Sequence, residues 1–218
     1  MSSPATTITA GRWRSRRSAA VGGIVFAVLL ITALVLMRAA LVDDSLPGLV
    51  ADPAKQSRVR LALQLVPFSG IAFLWFIGVI RDQLGQTEDR LFSSVFLGSG
   101  LLFLAMLFLG AVTASSLIAM VPGSNLDVGL WEYGTRTTST LVSVYAMRMA
   151  AVFTLTVSTV ILRTASVHRG LAFVGYTVAL VLLLLAGRNR WAELVFPVWV
   201  LVLSIGILIS PERQREVS

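Results

Sequence analysis

The chain has no cysteine, one histidine and one lysine. Without cysteine there can be no disulfide, thiolate metal site, iron–sulfur cluster or cysteine nucleophile. His168 alone cannot supply the histidine pairs that haem, or most zinc and copper sites inside membranes, would need. Charge is also scarce, at 13% of the 218 residues, against roughly 25% in a soluble domain. The phosphate-binding G-x-x-x-x-G-K-[ST] loop is missing, as are the dinucleotide fingerprint, H-E-x-x-H and G-x-S-x-G. The acids that come in pairs, Asp43 with Asp44 and Glu88 with Asp89, are adjacent in sequence. Neighbours point in different directions, so neither pair forms two converging carboxylates. No Asp, Glu or His stands deep inside an apolar run, which argues against a proton-driven pump. No cofactor is expected, and an intramembrane enzyme is the weakest of the functional readings.

Apolar sequence fills the space these absences leave. Hydrophobic residues make up 56% of the chain and the mean hydropathy is +0.83. A membrane-spanning helix needs about 20 predominantly apolar residues. Six runs meet that need: 20–41, 61–80, 93–121, 141–162, 171–187 and 194–210. The fold class expected is therefore all-α, a polytopic bundle of six transmembrane helices over 20–210. A basic segment, 1–19, precedes it and a short tail, 211–218, follows. The last two runs are short and are separated only by "RNRWAE", as in a helical hairpin.

The formal charge of +7 comes from 18 Lys and Arg against 11 Asp and Glu. The cations stand at the ends of apolar runs and do not form a patch interleaved with aromatics. They point to lipid head groups and to orientation, with no nucleic-acid partner. With the N-terminus inside, the cytoplasmic side carries Arg12, Arg14, Arg16, Arg17, Arg81, Arg90, Arg163, Arg169, Arg213 and Arg215. The outer side carries Lys55, Arg58, Arg60, Arg136, Arg188 and Arg190. Four arginines directly precede the first run, which usually dominates, so both termini are assigned to the cytoplasm. Arg16 and Arg17 ahead of an apolar run resemble a secretory signal. Ser18, Ala19 and Ala20 after the pair, and Arg38 where cleavage would fall, favour a retained first helix. The arginine bias, with abundant Ala, Val, Gly and Leu, suggests a GC-rich bacterial genome and hence a bacterial plasma membrane.

The stretch "SVYAMRMAAVF" places Arg148 inside the fourth run. At the centre of a membrane helix an Arg costs roughly 2.5–3.5 kcal/mol, and less near the interface. Tyr145, Val152, Leu155 and Thr159 share its helical face, and Thr154, Thr156 and Ser158 make this the most polar of the six runs. It is the best candidate for the bundle centre or a cavity lining. Arg38 is expected at the outer end of the first helix, and Asp43, Asp44, Glu132 and Glu193 are candidate ion-pair partners for either Arg. Three roles compete for Arg148: a structural cation, an outer-leaflet anion or lipid site with Arg38 and Tyr145, and a subunit contact.

Further signals concern packing. Asp52 followed by Pro53 reads as an N-cap and first turn. Pro67 removes a backbone hydrogen bond and clashes with the Leu63 carbonyl, so with Gly70 it marks a candidate kink. Gly110 with Ala114 stands at helix-contact spacing, favouring packing inside the bundle over dimerisation. Trp75, Trp131, Tyr133, Trp191 and Trp199 lie near run ends, where amphipathic rings favour the interface.

Gly78, Asp82 and Gly85 form G-x-x-x-D-x-x-G, similar to a motif that major facilitator transporters carry after their second helix. Gln83, Gln86 and Thr87 stand where that motif is basic, so a short charged cytoplasmic turn is the preferred reading. More broadly, "PFSGIAFLWFIGVIRDQLG" with "EDRLFSSVFLGSGLLFLAMLF" resembles uncharacterised multi-pass membrane proteins of actinobacteria. That resemblance covers roughly residues 65–110 and implies localisation without an activity. The expected function is a non-catalytic membrane protein, self-assembling or accessory to a membrane complex, with a candidate site for anionic lipid in its outer half. The alternative is a small transporter or channel subunit whose pathway the Arg148 helix lines.

Overall fold

The computed structural model describes residues 5–40, 49, 52–84, 90–121, 127–164, 169–188 and 191–209, and no strand occurs among them. The helices are α1 (Ala5–Ala40), α2 (Pro53–Leu84), α3 (Arg90–Met120), α4 (Val128–Ser139), α5 (Met147–Thr164), α6 (Arg169–Leu185) and α7 (Ala192–Ile209). A π-helical segment, Thr140–Ala146, joins α4 to α5.

Five stretches are long and apolar enough to cross a membrane: Arg17–Ala39, Pro53–Arg81, Phe92–Met120, Val128–Arg163 and Ala192–Ile209. The remaining apolar run is α6, whose 17 residues extend about 25 Å, short of a hydrocarbon core of about 30 Å. Several elements outrun their expected bounds. Helix α1 begins at Ala5 rather than at 20, and α2 begins at Pro53 rather than 61. At the start of α2, the Asp52 carboxylate accepts hydrogen bonds from the N–H groups of Ala54 (2.9 Å) and Lys55 (3.3 Å), satisfying two donors the first turn would leave free.

The largest difference lies at 127–140. Polar and rich in threonine, this stretch reads from sequence as a connection, yet it forms α4. Tertiary packing decides the matter: Trp131 and Gly134 are buried, with Gly134 pressed close to Leu117 of α3. Trp131 joins Leu49, Val59, Leu117, Ile118 and Val121 in a small apolar cluster of its own. The expectation that Trp131 and Trp199 sit at the lipid interface is corrected, since both are buried. Trp75, Tyr133 and Trp191 are exposed.

A layer of aromatic rings holds the bundle together. Phe26 of α1, Phe73 and Phe76 of α2, Phe96 and Phe103 of α3, Phe153 of α5 and Phe196 of α7 are all fully buried. Phe73 lies 4.5 to 6.1 Å, centroid to centroid, from Phe26, Phe76, Phe103, Phe153 and Phe196. Lipid tails are as apolar as a side chain, so helices in a bilayer associate through close packing rather than hydrophobic exclusion. Interlocked rings supply that packing, with edge-to-face geometry adding to it.

Helix α2 continues through Pro67, and Gly70 admits α3 so closely that a Cβ there would meet the Phe108 ring. On α3, a Cβ at Gly110 would stand 2.7 Å from Val142 Cγ2. Gly110 thus receives the π-helical segment inside the bundle, while Ala114, one turn on, is half-buried. The Val128–Arg163 stretch is the best buried of the five, 61% of its apolar window against 39% in each of the others, in keeping with its expected central place.

Candidate functional site

The site forms where α1 ends against the start of α7, with the π-helical segment beside α7. Arg38, in the last turn of α1, places Nη2 3.5 Å from Glu193 Oε2. Glu193 belongs to the first turn of α7, where the helix dipole favours an anion. The Ser143 hydroxyl, in the π-helical segment, donates to Glu193 Oε1. The Arg38 guanidinium also lies over the Trp191 ring, 5.0 Å from its centroid. The side chains of Arg38 and Glu193 are 23% and 14% exposed, so this is a partly desolvated ion pair with an added hydroxyl donor and an aromatic cover.

Local sequence explains part of this geometry. Pro197 lies inside α7 and has no N–H to offer the Glu193 carbonyl four residues earlier, which loosens the turn carrying the carboxylate. Bonds of the i→i+5 kind widen the helix and re-aim its side chains, and such segments often mark functional sites. Here the segment turns Ser143 toward Glu193. Behind it, the turn between α6 and α7 closes at Gly187, whose φ of +80° is costly for any residue with a Cβ. A Cβ there would also lie 2.8 Å from Val144 Cγ2.

Arg148 is not part of this cluster. It is exposed, stands five residues past Ser143 on the outer face of α5, and makes no ion pair or hydrogen bond among the described residues. Tyr145, on the same face, is also exposed, as is Leu155 about two turns past Arg148. Thr154, Thr156, Ser158 and Thr159 donate to carbonyls of their own helix four residues back, at 2.7 to 2.9 Å. Thr159 additionally meets the Tyr176 hydroxyl at 2.9 Å. These hydroxyls serve their own backbone and a helix contact.

Among the candidate acids, Glu193 is the partner of Arg38. Glu132 pairs within α4 with Arg136 at 3.7 Å, both side chains largely exposed. Asp43 and Asp44 lie outside the described residues, as does Gly85 of the G-x-x-x-D-x-x-G stretch. Gly78 has nothing within 4 Å of a Cβ built on it.

No protein-family model, curated protein or solved structure matches this chain.

The residues that sequence reasoning missed are Ser143, Trp191 and the turn at Gly187. Nothing local to Ser143 announces a π-helical segment. The proline four residues after an acid at a helix start was a readable signal for Glu193. Among the described residues, no three His, Asp or Glu side chains come together. What the cluster can do chemically is neutralise a cation at a helix end and lock three helical segments together. Arg148 is left without an ion-pair partner among the described residues, on a largely apolar exposed face.

Proposed function

We propose that this chain is a non-catalytic integral protein of a bacterial plasma membrane, crossing six times with both termini cytoplasmic. In this reading it assembles with itself or with a membrane complex and holds an anionic lipid in the outer leaflet through Arg148 and Tyr145. The observation that carries the reading is the position of Arg148, exposed on an apolar helix face and unpaired among the described residues.

Helix lengths support the placement in the bilayer. Twenty-one residues separate Arg17 from Arg38 and Arg60 from Arg81, about 31 Å of helix in each case, close to one hydrocarbon thickness. Contacts fit two levels: Trp75 Nε1 donates to Ser18 Oγ at 2.8 Å near one end, and Arg163 covers the Phe92 ring at 4.4 Å near the same end. The Arg38–Glu193 cluster marks the other. The turn at Gly187 reaches Val144 near that far level, which supports counting α6 as a short sixth crossing. Arg148 then lies about 22 Å from Arg163 along the helix, below the outer boundary but within the range where a long cationic side chain snorkels upward. A lipid phosphate there would meet a cation whose desolvation is otherwise uncompensated. A transporter pathway lined by this helix is less well supported, because its hydroxyls are committed to their own backbone.

Native mass spectrometry of the protein in mild detergent tests the proposal, with phosphatidylglycerol and phosphatidylcholine added at equal amounts. Retention of the anionic lipid by the unaltered chain, weakened in Arg148→Gln, is expected. Equal retention of both lipids, or an Arg148→Gln variant indistinguishable from the parent, would overturn it.

A further inference from the structure

The reading of Arg148 leaves a second exposed cation unexplained. Arg188 is exposed and follows Gly187 in the turn between α6 and α7, its N–H donating to the Leu185 carbonyl at 3.0 Å. Gly187 rests against Val144, and Val144 precedes Arg148 by one helical turn on the same side of the helix. The positive φ of Gly187 lets the turn fold down onto that helix. Two exposed arginines from distant parts of the chain therefore stand on either side of the Gly187–Val144 contact, and Tyr145 is exposed as well.

A second observation concerns the surface between α6 and α7. After Trp191 the chain enters α7, whose Leu194 and Val195 line an apolar groove with Val174 and Val178 of α6. The groove continues along α7 past Val198 to Val202. It begins at the end of α7 nearest the Arg188 turn, and its walls, five valines and a leucine with the Trp199 ring, are apolar, a surface suited to a hydrocarbon chain rather than to a polar solute.

We infer that Arg148 and Arg188 together form one seat for the phosphate of an anionic phospholipid, with one of its acyl chains lying in the groove between α6 and α7. This rests on the lipid reading of Arg148 and adds to it a second cation, a stoichiometry of one lipid and a chain site. Two arginines suit a phosphate because each guanidinium offers paired donors to its oxygens. A basic residue near an anionic headgroup is worth about five-fold in binding. Both arginines are exposed, so their removal leaves the buried core intact.

The test titrates delipidated protein in mild detergent with dioleoyl phosphatidylglycerol, and reads bound lipid per protomer by native mass spectrometry. Arg148→Gln, Arg188→Gln and the double variant are compared with Arg136→Gln, an exposed arginine of α4 that serves as a control for general charge. One tightly held lipid is expected, weakened about five-fold by either single change and unaffected by Arg136→Gln. Loss with Arg148→Gln but not with Arg188→Gln overturns the shared seat and leaves the single-cation reading standing. No loss with Arg148→Gln overturns both. Equal loss with Arg136→Gln overturns the seat in favour of diffuse attraction. Val198→Phe, which fills the groove and keeps both cations, is expected to weaken retention as well. Unchanged retention in that variant, or displacement of the lipid by inorganic phosphate alone, overturns the chain site.

Discussion

The aromatic layer and the polar cluster at the end of α1 hold helices together by opposite means. In the layer, Phe73 touches five other rings, and no polar atom is needed because each helix satisfies its own backbone. The contacts are short-ranged and many, so their strength depends on volume and shape. In the cluster, one carboxylate takes a guanidinium on one oxygen and a hydroxyl on the other. Its strength depends on keeping charge matched in a partly desolvated place. The first region resists loss of atoms poorly, and the second resists loss of one charge poorly while tolerating loss of both.

The largest effect expected from breaking this contrast comes from Phe73→Ala. Removal of a fully buried ring costs about 3–5 kcal/mol, read as a lowered thermal unfolding midpoint in detergent, and a change of under 1 kcal/mol would show that the layer repacks freely. Next is Glu193→Ala, which strands Arg38. A fully buried pair broken this way loses about 3–5 kcal/mol, and the residual exposure of both partners brings the expectation to about 2 kcal/mol. Arg38→Ala combined with Glu193→Ala should recover part of that loss. Additive losses in the double variant would mean that charge matching is not what the cluster supplies. Gly187→Ala should cost about 1–2 kcal/mol from the left-handed backbone alone, measurable by the same unfolding transition. Smallest of all, Glu132→Ala breaks a solvent-exposed pair and should change stability by under about 0.5 kcal/mol, setting the scale against which the Glu193 effect is judged.

The legible part of the structure was the part written in local hydropathy. The first three helices and α7 follow from long apolar runs, and Asp52 with Pro53 announces the start of α2 ahead of its run. Helix α4 was hidden because Thr135, Thr137 and Thr138 lower local helix preference, while the partners of its buried Trp131 lie ten or more residues away in sequence. Arg38 pointed to Asp43 and Asp44 by proximity, whereas its described partner stands 155 residues away. Glu193 was readable as an outer acid but not as the partner of one arginine over another. Arg148 was conspicuous in the sequence, and its exposure on the outer face was not, because a single helix does not say which of its faces a bundle will cover.

By itself, the sequence determined that this chain is helical with stretches long and apolar enough to cross a membrane, and it marked those runs and the few charges among them. Solvent sets these features: a backbone in hydrocarbon must bond to itself within each run, and that condition is local. The tertiary structure alone decided which charge is matched, by turning Ser143 through a π-helical segment and bringing α7 against the end of α1. Those outcomes depend on how close two helices approach, which Gly110 and Gly187 permit only through residues remote from them in the chain.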